Sequence, residues 1–340
     1  MNMNTTMSES YRFTGQTGRI HDCGIDFLMF IAVLLVVNSH LDIMYPGRLK
    51  FLATGGIFGD ALFFFCSGYK LFLKKPGRFD NWYKRRVVRV YPSIVVWDVM
   101  VAIIFSLPFS ILNLFDGWRP NGYWFVKCIM FHYIGIYLIQ KYMINQLKLM
   151  IFAVFAGVFV WWLTAYSPEF ANAMLSAPKF QWYYMFIFTL AGAILRKHSH
   201  IKFRLWMAML FSFSMFCYYG FLKCVDLFPI ITPLRVLVIL PMFGVIYGFF
   251  LISRSDAVTK LMNTKGGAVL KFCGALCLEV YISHDVLLTG EYNHLFPLNI
   301  IVYFFLVFLL AYIVRCVTRC LVQTFNLDKP YDYGAILGRE

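Results

Sequence analysis

Ten long apolar stretches, parted by short breaks that hold most of the charge, leave this chain few folds to choose from. Ile25 to Ser39 is nearly unbroken in apolar character, with Asp22 and His40 at its rims. Further runs lie near 55–74, 90–112, 123–140, 148–166, 181–195, 203–222, 234–252, 268–289 and 298–320. A helix of roughly 20 apolar residues crosses about 30 Å of hydrocarbon, and it satisfies its backbone N–H and C=O groups internally, as a lipid environment demands. Hydrophobic residues make up 60% of the chain and charged ones 14%, with a mean hydropathy of +0.67, which excludes an ordinary soluble domain. The expected fold is all-α: a polytopic membrane protein with about ten transmembrane helices.

A formal net charge of +14 in a soluble chain would point to nucleic acid. Here its distribution argues otherwise, and no nucleic-acid partner is expected. With the N-terminus inside, 24 of the 31 basic residues fall in cytoplasmic segments, among them Arg12, Arg19 and the block from Lys70 through Lys74 and Lys75 to Arg89. That is the positive-inside pattern, and it predicts both termini in the cytoplasm of a multi-pass protein of the plasma or inner membrane. The polar residues 1–20 lack a signal-peptide cleavage pattern and are expected to form a cytoplasmic tail. Residues 21–322 form the membrane domain, and 323–340 form a C-terminal tail too short to fold alone.

Nine cysteines lie mostly within or beside the apolar runs. Cys273/Cys277 and Cys316/Cys320 have the i,i+4 spacing of a shared helix face, but neither Cys-x-x-Cys nor a neighbouring histidine makes a zinc set, so no metal is expected. Small apolar packing is the reading these thiols favour. Several aromatic residues, Trp118, Trp124 and Trp161 among them, fall near the ends of the runs, as interfacial side chains do.

Ionisable groups inside such runs cost at least about 2.5 kcal/mol on insertion scales and so call for an explanation. His40 closes the first run. An imidazole there can simply reach the headgroup region, but it is also the side chain best suited to take a proton from a hydroxyl near neutral pH. Asp42 follows at i,i+2, off the helix face. Asp26 lies fourteen residues earlier, about 21 Å along a helix at 1.5 Å per residue, too far to orient the ring. The partner of His40 is therefore open. In the basic segment, Arg86 and Arg89 share a helical face at i,i+3, and Arg85 stands beside Arg89 at i,i+4. Topology and anionic lipid account for most of this charge, yet a fork of guanidinium groups also binds phosphate oxygens bidentately. Ser67 and Gly68 end Phe63-Phe64-Phe65-Cys66-Ser67-Gly68, where small residues permit close helix packing or the passage of a thin, flexible ligand arm.

The order of these features resembles the acyltransferase 3 family of bacterial membrane O-acyltransferases. Asp26 and an apolar helix closing on His40 are followed by Phe63-Phe64-x-x-Ser67-Gly68, by Arg86-x-x-Arg89 with Tyr91-Pro92, and by Tyr123-Trp124-Phe125. Gly192, Gly274 and Tyr281-x-x-His284 complete the series, which covers about residues 20 to 320. The resemblance implies transfer of an acyl group, usually acetyl, from cytoplasmic acyl-CoA to a hydroxyl of a surface or lipid-linked glycan. His40 would be the catalytic histidine. Arg86 and Arg89, with Arg85 beside them, would hold the donor, and Ser67 and Gly68 would line its path. Asp26, Asp42, Tyr91, Trp124, His284 and Glu279 form a second rank. Acetyl-CoA is then a substrate, with no tightly bound cofactor, and the partners are the lipid bilayer, the acyl-CoA and the glycan acceptor. The number of copies stays open, a homodimer being one choice.

Two departures from the family pattern bear on activity. An arginine or lysine is usual eleven residues before the histidine, and Met29 stands there; Lys127 or Arg235 from a neighbouring helix could supply the charge. Cys277 and Glu279 replace small polar residues in the last motif. Glu279 could handle protons, pair with a cation or mark a misplaced boundary. A covalent acyl-histidine route stays open beside general-base catalysis. Two other classes fit the same residues: a transporter of an anionic or lipid-linked sugar, and a non-catalytic membrane protein of acyltransferase descent.

Overall fold

The computed structural model describes residues 22–72, 76–106, 123–165, 178–198, 201, 203–326 and 329–338. The tail 1–20 with Arg12 and Arg19, the pair Lys74 and Lys75, Trp118, and the end of the third apolar run at 107–112 lie outside them. Every element among the described residues is helical.

The apolar runs become α1 (Cys23–Asn38), α2 (Gly56–Leu71), α3 (Phe79–Ile104), α4 (Trp124–Tyr142), α5 (Leu147–Ala165) and α6 (Pro178–Arg196). They continue as α7 (Leu205–Leu227), then α8 (Ile239–Ile252) preceded by a 3-10 segment (Pro229–Val238). A short α9 (Asp256–Met262) leads to α10 (Lys265–Ala275) and α11 (Cys277–Ser283), and the last run is α12 (Leu298–Thr324). A final helix, α13 (Tyr333–Leu337), folds back on α12. Caps mark several starts: Asp22 accepts the Ile25 amide at α1, Thr264 that of Gly267 at α10, and Asp332 that of Ala335 at α13.

Helix covers most of the described part of each of the ten apolar runs, but the length needed to cross a membrane is not reached by all of them. Among the described residues, six helical spans are long and apolar enough to cross a membrane, or seven if α10 and α11 are one broken span. These two meet at an angle of 56°, with Leu276 at the bend. The bend divides the expected run 268–289 and puts Cys273 and Cys277 on different helices, so their predicted common face does not form. All nine cysteines are free thiols.

A second difference concerns the basic segment. The apolar run is expected from about residue 90, but the helix begins earlier: α3 starts at Phe79 and carries Arg85, Arg86, Arg89 and Tyr91 without a break, which gives Arg86 and Arg89 their i,i+3 spacing on helix. Pro92 lies inside it. Its ring removes the N–H that would have met the Val88 carbonyl, a loss tolerated here within a helix that α4, α11 and α12 support by packing.

The bundle is organised around α2, which packs between α1 and α6. Phe58, Phe64, Phe65 and Tyr69 are fully buried along it. The contact with α6 is close because it is made by glycines: a Cβ on Gly68 would overlap the Thr189 carbonyl, and one on Gly192 would overlap that of Phe65.

Polar contacts identify the two ends. At one, Arg254, just past α8, pairs with Asp22 at the start of α1 (2.9 Å), and the Tyr69 hydroxyl near the end of α2 donates to the same carboxylate (2.7 Å). Arg196 at the end of α6 lies over the Tyr69 ring, 4.8 Å from its centre. At the other, Asn38 donates to the Leu52 and Thr54 carbonyls, and Asn299 at the start of α12 donates to Met44. His40 and His284 sit at this second end.

Candidate active site

The first end opens into a cavity of about 750 Å³ between α1, α2, α3, α4, α10, α11 and α12. Its cations are Lys70 from the last turn of α2, Arg89 from α3, Lys271 from α10, and Arg315 and Arg319 from α12. Ser67, Asp26, Met29 and Tyr133 also line it, and its apolar reach runs to Phe63, Phe125 and Tyr281. This volume lies in the range of sites that hold a medium-sized organic ligand.

Several of these charges are already engaged. Lys70 lies 3.4 Å from Asp26. Arg315 donates to the Ala275 carbonyl and to Glu279 Oε2, the latter at 2.7 Å, while Ser93 donates to Oε1 at 3.1 Å. Glu279 is therefore the partner of a cation, the second of the three roles left open for it. Arg319 donates to the Ala335 carbonyl of α13 (2.5 Å).

The expected arginine fork is divided. Arg89 reaches the cavity, whereas Arg86 lies over the Trp82 ring at 4.1 Å and donates to the Trp82 carbonyl, and Arg85 is exposed away from the lining. Ser67 faces the cavity and Gly68 faces α6, so the two halves of that motif do different work. Met29 does line the cavity where the resemblance places a cation, whereas Lys127 and Arg235 are not part of that lining. Lys70 and Lys271 are there instead.

From the apolar end of the cavity a chain of rings leads to the far end of the bundle. Phe125 packs on Phe63 (5.7 Å between ring centres) and on Tyr281 (5.3 Å), whose hydroxyl accepts the Phe125 amide. Tyr281 is 6.5 Å from His284, and His284 is 4.9 Å from His40. His40 lies in the turn after α1, exposed, while His284 is fully buried at the end of α11. A ring nitrogen of each and a carboxylate oxygen of Asp285 lie within 4.8 Å of one another. Neither histidine lines the cavity itself; Tyr281 and Phe125 stand between.

Of the second-rank residues, Asp26 belongs to the cationic end, as its distance along α1 requires. Asp42 is exposed in the turn beyond His40, Trp124 opens α4, and Tyr91 packs half-buried on α3. Asp285, Lys70, Lys271, Arg315 and Arg319 went unremarked as site residues in the sequence. The i,i+4 spacing of Arg315 and Arg319 was the available signal for a shared face, and adjacency to His284 the signal for Asp285.

A polytopic helical protein with a cationic cavity at one end and paired imidazoles at the other is the class this arrangement defines. The acyltransferase domain family model matches residues 24–318, nearly the whole chain, and the protein belongs to that acyltransferase 3 family. Comparison with curated proteins and with solved structures gives no match. The protein is a membrane acyltransferase.

Proposed function

We propose that this acyltransferase moves an acetyl group from cytoplasmic acetyl-CoA to a hydroxyl of a surface or lipid-linked polysaccharide. The observation that carries the reading is the row of packed rings, Phe125, Tyr281, His284 and His40, that joins the end of the cationic cavity to the far end of the bundle. The donor's phosphates bind near Arg89, Lys70 and Lys271, where guanidinium and ammonium groups complement their charge. The pantetheine arm extends along Ser67 toward Phe125 and Tyr281, which move to let the thioester reach the imidazoles.

His40 acts as general base. It takes the proton of the acceptor hydroxyl as that oxygen forms its bond to the thioester carbon; the carbon–sulfur bond then breaks and CoA leaves as the thiolate. His40 is the exposed member of the pair, open to an acceptor from the far side. The ten apolar runs are read as ten spans of the inner or plasma membrane. Asp22, Arg254 and the cationic cavity then face the cytoplasm, and both termini lie there.

The test is the mass of surface glycans from cells with and without the gene. Loss of acetyl groups on deletion, restored by the wild-type protein and not by His40→Ala, is the expected result. Unchanged glycans, together with movement of labelled sugar across vesicles without CoA release, would favour a transporter.

A further inference from the structure

We propose that Asp285 is a positioning residue for acyl transfer, forming with His284 a one-proton pair that orients His40 and steadies the charge it acquires. This inference rests on the reading in which His40 is the base.

His284 has little freedom. It is fully buried, its backbone carbonyl accepts the Tyr303 hydroxyl at 2.9 Å, and its Nδ1 lies 3.1 and 3.0 Å from the carbonyl oxygens of Val280 and Tyr281. Both of those atoms are acceptors, so Nδ1 carries a hydrogen, a tautomer assigned from its partners. Nε2 stands 2.9 Å from Asp285 Oδ1. A carboxylate oxygen and a bare imidazole nitrogen do not approach that closely unless one of them carries a proton. The pair therefore holds one proton, on the imidazole or on the carboxyl, and the two groups meet as a close ion-pair contact by distance rather than as an aligned hydrogen bond.

His40 comes to this pair from a turn and not from regular helix, since α1 ends at Asn38. Its ring leans on that of His284 at 4.9 Å, and the Asp285 oxygen lies within 4.8 Å of a ring nitrogen of both histidines. When His40 accepts the hydroxyl proton, the new positive charge forms beside the Asp285 carboxylate. At such a distance the carboxylate stabilises the charged state, to an extent that solvent at the exposed His40 screens, and it leaves the donor site at the other end of the bundle unaffected. The arrangement has the logic of a base oriented by a third group, here supplied through a second imidazole.

The experiment measures CoA release from acetyl-CoA by full-length protein in proteoliposomes, with a lipid-linked glycan extract as acceptor. Asp285→Asn is expected to lower kcat about ten- to a hundredfold with KM for acetyl-CoA unchanged, and Asp285→Glu to restore most of it. His284→Asn is expected to cost a similar factor, and the double variant no more than either alone. A wild-type kcat in Asp285→Asn would overturn the proposal. So would a loss that Glu fails to rescue and that raises KM as well, the mark of a merely structural role. Inactivation of the wild type by a chelator, reversed by zinc, would overturn it by making the three residues metal ligands. If His40→Ala keeps full activity, the functional reading itself fails; if His40→Ala is inactive while Asp285→Asn runs normally, only this inference falls.

Discussion

His40 and His284 come from opposite ends of the chain, yet their rings stand 4.9 Å apart at the same end of the bundle. The exposed ring belongs to the turn after α1 and the buried one to the helix that follows the bend at Leu276. In the proposed mechanism the histidines have unequal roles that follow from their exposure: His284 fixes a position, and His40 meets the acceptor.

Removing His40 should therefore cost activity and little else. Because the side chain is exposed, His40→Ala should leave the melting temperature in detergent within a degree or so of the wild type. Acetyl transfer should fall about 10²- to 10⁴-fold, the usual contribution of a general base.

The divided arginine fork predicts unequal effects among three neighbours. Arg89→Ala should raise KM for acetyl-CoA about tenfold, since Arg89 lines the cavity. Arg85→Ala should change it by less than about twofold, a surface substitution away from the site. Arg86→Ala should act through lost packing on Trp82 and lower the melting temperature more than the affinity. Steady-state kinetics with a melting curve on each variant separates these outcomes.

Arg315→Ala leaves Glu279 without its guanidinium in a largely buried setting. Breaking such a pair costs about 3 kcal/mol or more, so the variant should melt several degrees lower. Adding Glu279→Gln to it should recover part of the loss, because the uncompensated charge is then gone.

At the Asp22 carboxylate, burial pushes the pKa up, but Arg254 and the hydrogen bonds from Tyr69, Arg254 and Ile25 outweigh it and hold it below its ordinary value of 3.8. A folded-state value below the unfolded one means that this group adds stability above pH 3.8, lost as pH falls through the lower folded value. Asp22→Asn should therefore melt lower than wild type near pH 7, and the gap should narrow as the pH drops below about 4. Melting temperatures measured across that range check the sign.

How much of this could be read in the residues differs from element to element. The apolar runs mark their helices well because lipid leaves a long apolar segment no better conformation, and the Ser67-Gly68 step announces the close packing that Gly68 makes, while the matching role of Gly192 shows only in the structure. The start of α3 was missed by about ten residues, because Lys84 to Arg89 reads as a break in hydropathy although arginine and lysine are good helix formers. The bend at Leu276 leaves no Pro or Gly signal at the residue itself. Lys70 could not be preferred to Lys127 as a cation lining the cavity with Met29 until helix neighbours were known, and the ring that meets His40 lay outside any local spacing, on an element more than 240 residues further along the chain.

The central claim is that a donor held at the cationic end presents its acyl group to the histidines at the other. Photolabelling in proteoliposomes with an acyl-CoA bearing a diazirine at the end of its acyl chain tests it most directly, read by mass spectrometry of the labelled peptides. Label on Tyr281, His284 or His40, abolished by excess CoA and weakened by Arg89→Ala, is the result predicted. Label confined to lipid-facing residues, or label at the histidines that excess CoA does not displace, would contradict it.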